Sequence, residues 1–204
     1  MSHTFTRAER WIGAFTFAYL FAAGAYFARD FNLEFVIYVG VIVAILGFIF
    51  ATLSITRFPA YLLALVSIWG LMHVLGGGLP VDGGVLFGWH IYPFLDYGGE
   101  FYVLKYDQVV HFYLYGVVAL MFHHLLRVIF SIRKQTLLVA IVAIMASLGV
   151  SAMNEIMEFL IAVTVERNGV GGYHNAMLDL IFNFSGALLA VGSYELIGKL
   201  KSGR

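Results

Sequence analysis

The sequence contains no cysteine, only three prolines and few charges. Without cysteine there are no disulfides, thiolate metal sites or cysteine nucleophiles, and compartment cannot be read from thiol usage. Charged residues make up 12%, about half of the roughly 25% usual in soluble domains. Twelve Lys and Arg balance twelve Asp and Glu, which leaves no net attraction to polyanions such as nucleic acid. What is abundant is apolar: 61% hydrophobic and 17% aromatic residues, with a mean hydropathy of +0.89. These proportions exclude a soluble enzyme, a nucleic-acid binder and a disordered chain. A polytopic membrane protein remains.

A spanning helix needs about 20 mostly apolar residues. Six stretches qualify, at about 10–28, 34–53, 59–76, 106–129, 136–163 and 174–198. The first, with Arg7 and Arg10 ahead of it and Ala22-Ala23-Gly24-Ala25 near its end, also has features of a signal peptide; we assign it as the first span. Nine Lys and Arg fall on one side (Arg7, Arg10, Arg57, Arg127, Arg133, Lys134, Lys199, Lys201 and Arg204) and three on the other (Arg29, Lys105 and Arg167). The positive-inside rule then predicts both termini on the cytoplasmic side of the inner membrane. The expected fold is an all-α, six-span helix bundle, one integral membrane domain over residues 1–204. Its third loop, about 77–105, is long and rich in glycine and aromatics. It reads as an anchor in the headgroup layer or as a lid over an outward-facing site.

The informative residues are the ionisable ones inside spans. His73 lies near the end of the third span; Asp107 and His111 open the fourth; Ser151, Asn154, Glu155 and Glu158 lie late in the fifth; His174, Asn175, Asp179 and Asn183 open the sixth. Asp107 and His111, Asn154 and Glu158, and Asn175, Asp179 and Asn183 are spaced at i,i+4, so each set shares one helix face. Four helices therefore carry polar residues at one level, on the predicted outer side. Carboxylates are costly there, at about 2.5–3.5 kcal/mol each at mid-membrane. Either some are protonated by mutual repulsion or a cation balances them. Carboxylates with imidazole suit Zn, Mn or Fe, whereas an oxygen-only subset suits Mg or Ca.

The same residues carry a family resemblance. Asp107-Gln-Val-Val-His111-Phe112, then Tyr115-Gly116, resembles the first motif of VanZ-like bacterial membrane proteins. Glu155-Ile-Met-Glu158-Phe159 resembles their second, and Asp179-Leu-Ile-Phe-Asn183 with Gly186-Ala187 their third. His73 before Gly76-Gly77-Gly78 is similar to the YjdF-type inner-membrane proteins. The likeness covers about residues 70–190. It departs at Glu158, where VanZ-like proteins often have Gln, and at Asn175, where the YjdF type has an acid. The resemblance implies a cell-envelope setting, and for VanZ a link to glycopeptide resistance, without an established reaction.

Asp107, His111, Glu155, Glu158 and Asp179 are the candidate metal ligands. Glu155 or Glu158, if not a ligand, is the candidate general base. His73, Asn154, His174, Asn175 and Asn183 are candidates for substrate contact or for supporting the ligands. The bland alternative is a hydrogen-bonded network that fixes helix packing. His90, His123 and His124 read as ordinary or interfacial, Glu195 as a partner for Lys199, and Gly116, Ala119, Gly186 and Ala187 as packing positions.

Three functional classes follow. The leading one is a site that binds a divalent metal or the headgroup of a lipid or envelope precursor. The second is a metal-dependent enzyme acting on such a molecule, marked by loss of activity without loss of fold on Asp107 or Glu155 replacement. The third is an accessory subunit of a larger membrane complex, since 3 Trp, 12 Tyr and 19 Phe suit extensive contacts with other helices, pigments or quinones; membrane lipids and other membrane subunits are the expected partners.

Overall fold

A computed structural model describes residues 4–29, 33–99, 101–132, 136–165 and 171–202, apart from the side chains of 33, 34 and 202. Of the residues in the charge count above, Arg133, Lys134, Arg167 and Arg204 lie outside the described residues. The apolar runs form helices α1 (Arg7–Arg29), α2 (Leu33–Ala51), α4 (Ala60–Gly78), α5 (Tyr106–Val128), α6 (Thr136–Thr164) and α7 (Tyr173–Ser202), with a single turn α3 (Leu53–Thr56) between the second and third runs. Each boundary lies within a few residues of its sequence estimate. Among the described residues five helices (α1, α4, α5, α6 and α7) are long and apolar enough to cross a membrane, and Phe35–Ala51 is a shorter apolar helix. Helices of this kind satisfy their own backbone groups, which lipid requires.

Local sequence sets several ends. Thr6 and Glu9 form a reciprocal cap on α1, with Thr6 N–H donating to Glu9 at 2.7 Å and Glu9 N–H to Thr6 Oγ1 at 3.2 Å. Pro59 precedes α4 in extended backbone, and Pro80 lies two residues beyond its last residue.

The long third loop is not featureless, and this is where the structure departs from an all-α reading. It folds into two antiparallel hairpins, β1 (Pro80–Val81) with β2 (Gly84–Val85), and β3 (His90–Asp96) with β4 (Tyr102–Lys105). Asp82 and Gly83 make the first turn with φ of 49° and 83°, the two-residue geometry that an Asp-Gly pair favours.

α5 is the central helix. On one side it packs with α1, α2 and α4 around Ile42, Leu62, Leu63 and Val117. There α1 and α4 are tied by a buried Thr16–Ser67 hydroxyl pair at 2.6 Å and by Tyr19 O–H donating to the Ser67 carbonyl at 2.9 Å. On the other side α5 meets α6 and α7 around Ala119, Ile144, Ala187 and Val191. α5 and α7 approach so closely that a Cβ at Gly186 would overlap the Phe112 carbonyl oxygen, and one at Gly116 would lie 3.1 Å from the Gly186 carbonyl oxygen. The expected packing role of these glycines is thus met by backbone contact.

Candidate metal centre

The close α5–α7 crossing sets the geometry of the polar residues. Asp107 and His111 project from the first two turns of α5, Asp179 and Asn183 from the second and third turns of α7, and Ser151 to Glu158 from the last part of α6. All lie at the bundle end that carries the hairpins. Three helices converge on one imidazole. His111 Nε2 stands 3.6 Å from Asp107 Oδ1 and 3.9 Å from Glu158 Oε1, while Nδ1 stands 3.9 Å from Glu155 Oε1 and 3.1 Å from Asn183 Oδ1.

Two overlapping sets, Asp107–His111–Asp179 and His111–Glu155–Glu158, each present one ligand atom per residue within 4.8 Å of the others. Donors bound at about 2.0–2.2 Å in a tetrahedral shell lie roughly 3.3–3.6 Å apart, so the side chains would draw together by as much as about 1.5 Å to close either set. Asp179 is fully buried, and its Oδ1 has no hydrogen-bond partner among the described residues; the same holds for the buried Oε1 of Glu155. Acceptor oxygens left this way are costly unless a cation or proton meets them.

The supporting residues are arranged around the acids. Asn175 donates to Asp179 Oδ2 at 2.6 Å and accepts from Lys105 Nζ at 2.7 Å. Asn154 donates to Glu158 at 2.7 Å. Asn183 donates to Ser151 Oγ at 2.6 Å while its oxygen faces His111. Two residues stand outside the cluster. His174 is exposed and packs edge-on against Phe101 and Tyr173 instead. His73, on α4, joins no ligand set; its ring sits among Tyr38, Trp69 and Phe87, at centroid distances of 5.5, 5.8 and 5.0 Å.

A cavity of about 480 Å³ opens beside the cluster. Asp107, His111, Asn154, Glu158 and Asn175 line one part, Phe35, Tyr38, Trp69, His73 and Phe87 another, and Val81, Asp82, Gly84 and Val85 of the first hairpin contribute the rest with their neighbours. Glu158 is the fluid-facing member of the Glu155–Glu158 pair, since Glu155 does not line the cavity. Among the described residues the lining includes no Lys or Arg.

The family described as "Predicted membrane protein (DUF2238)" matches residues 8–199. The chain belongs to that family. A DUF2238 assignment spans the two N-terminal helices as well as the motif-bearing segment, and establishes a multi-pass membrane protein. No curated protein and no solved structure matches the chain.

Residues that sequence reasoning missed fall in two places. Gln108, fully buried, takes the Leu104 and Lys105 N–H groups on Oε1 at 3.2 and 3.0 Å and donates to the Tyr102 carbonyl at 2.8 Å. It thereby fixes the β4–α5 junction beside Asp107; a Gln three residues after the cap was the available signal. At the opposite end of the bundle His123, expected at the interface, is instead buried, because Glu195 reaches it from α7. Glu195 Oε1 is 2.6 Å from His123 Nε2 and accepts from Arg127 at 2.8 Å, so its partners lie on α5 rather than being confined to its own helix. His124 contacts the Thr56 carbonyl at 3.1 Å.

Proposed function

We propose that the protein is a six-span inner-membrane protein that holds a divalent metal on His111 together with Asp107, Asp179, Glu155 and Glu158, on the outer side of the membrane. One observation carries this reading. Two buried carboxylate oxygens, on Asp179 and Glu155, lack hydrogen-bond partners among the described residues, and each belongs to a triad whose donors lie within 4.8 Å. The mixed imidazole and carboxylate donors favour Zn, Mn or Fe over Mg or Ca. Among the described residues Lys105 reaches the cluster through Asn175, and the four acids outnumber the cations that meet them.

The 19 residues of α2 are enough for a sixth span, and the Lys and Arg asymmetry supports both termini in the cytoplasm. The VanZ-like and YjdF-like motif order supports a cell-envelope role, in which the metal and the adjoining cavity bind the headgroup of a lipid or envelope precursor. A catalytic version draws on one observation, that Glu158 lines the cavity and Glu155 does not. In that version Glu158 is not a ligand: it would exchange protons with a bound molecule that the metal, held by the remaining residues, would polarise. Elemental mass spectrometry of the detergent-purified protein tests the metal. Near one equivalent, lost in an Asp107→Ala/Glu155→Ala double variant, supports the reading; no metal in wild-type protein supplied with each of these ions overturns it.

A further inference from the structure

Beyond the metal, the aromatic side of the cavity has polar atoms that the bundle does not use. Trp69 and His73 are four residues apart on α4 and line the cavity together. Trp69 is 6% exposed, and its indole N–H has no hydrogen-bond partner among the described residues. His73 Nε2 is likewise buried without a hydrogen-bond partner. An indole nitrogen can only donate, and a buried donor without an acceptor is destabilising, so this corner calls for an oxygen acceptor.

The lining also carries Asp107 and Glu158 beside His111, and these carboxylates would repel an anion unless a cation stood between. Resting on the proposed metal, we infer that the cavity is a binding site for a phosphate monoester with an apolar tail. Three points of recognition then match three terminal oxygens: the metal, the Trp69 N–H and the His73 Nε2–H of the neutral imidazole. A carboxylate, with two oxygens, would leave one unmatched. Phe35, Tyr38, Phe87 and Leu114 supply apolar wall for the first part of the tail, and a volume of about 480 Å³ lies in the range of small-molecule sites, about 300–1,000 Å³.

The probe is octyl phosphate, titrated into Mn-loaded protein whose metal content has been measured first. Saturable enhancement of its ³¹P relaxation by the bound Mn is expected, since the phosphate oxygen would contact the ion. Trp69→Phe keeps the ring bulk and removes the donor; affinity should fall about tenfold or more with metal content unchanged. Inorganic phosphate and octyl glucoside should both bind more weakly than octyl phosphate. Retained metal without octyl phosphate binding overturns the inference and leaves the metal reading standing. Equal binding of inorganic phosphate, equal binding of octyl glucoside, or an unchanged affinity in Trp69→Phe also overturns it. Wild-type protein that takes up no Mn or other divalent metal overturns the metal reading, and this inference with it.

Discussion

His111 Nδ1 lies 3.1 Å from Asn183 Oδ1, and the amide nitrogen of Asn183 donates to Ser151 Oγ at 2.6 Å. With that amide committed to Ser151, its oxygen is the acceptor and Nδ1 carries the proton. Nε2 is then the free lone pair, on the side of Asp107 and Glu158. Ligating histidines are oriented in this way by a partner on the other ring nitrogen, and loss of such a partner typically costs about 10–100-fold in metal affinity. Asn183→Leu should therefore weaken metal binding by that order in a competition titration with a chelator, while the helical circular dichroism is retained. Unchanged affinity would remove Asn183 from the account.

The α5–α7 crossing should respond to a single methyl group. Gly186→Ala places a Cβ on the Phe112 carbonyl oxygen, a backbone atom that cannot swing aside. Overpacking of this kind costs about 1–3 kcal/mol, and we expect a lower melting temperature in detergent together with weaker metal retention. Gly149→Ala is the control, because nothing lies within 4 Å of the added Cβ. It should leave the melting temperature unchanged or raise it, as helical Gly→Ala changes do by roughly 0.5–1 kcal/mol.

Gln108 holds the junction that delivers Asp107 and Lys105. Leu104 adopts a φ of 115°, a conformation side chains rarely tolerate, and such strain costs about 1–3 kcal/mol unless the surroundings enforce it. Gln108→Leu should release the junction, lowering thermal stability and loosening the loop. Limited proteolysis between β4 and α5 should be faster in the variant, and an unaltered cleavage rate would show that Gln108 is dispensable there.

The His123–Glu195–Arg127 cluster lies at the other end of α5 and α7 and should matter to stability alone. Replacing Glu195 leaves two partly buried donors without their shared acceptor. Hydrogen bonds to charged groups contribute roughly 1.5–3 kcal/mol, discounted here because Glu195 and Arg127 are each 20% exposed. Glu195→Leu should destabilise more than Glu195→Gln, which keeps an acceptor, and both should retain full metal content. Loss of metal in either would contradict the separation of the two clusters.

Much of the bundle was legible because helical periodicity is local. The i,i+4 pairing of Asp107 with His111, and of Asn175, Asp179 and Asn183, follows from 3.6 residues per turn whatever the surroundings. Their convergence was legible only as a shared level along the membrane. Which helix meets which depends on backbone approach at Gly116 and Gly186, and glycine is used for many other purposes. His123 was misread because burial of a histidine near a helix end depends on a carboxylate 72 positions later, Glu195. His174 shows the converse: adjacent in sequence to Asn175, it points to a different helix face and leaves the cluster. The first hairpin had its signal, Asp82-Gly83, between short extended segments. It was obscured by the glycine and aromatic content of the whole loop, which resembles an interfacial segment as readily as folded strands.

The central claim is the proposed metal site on His111, and X-ray absorption at the edge of an ion taken up there would read its ligands directly. Protein loaded with Zn, Mn or Fe should give a first shell of one imidazole nitrogen with carboxylate oxygens and no sulfur. The imidazole multiple-scattering signature should vanish in His111→Ala. A shell of water oxygens alone, or an imidazole signature that survives the loss of His111, would contradict the account.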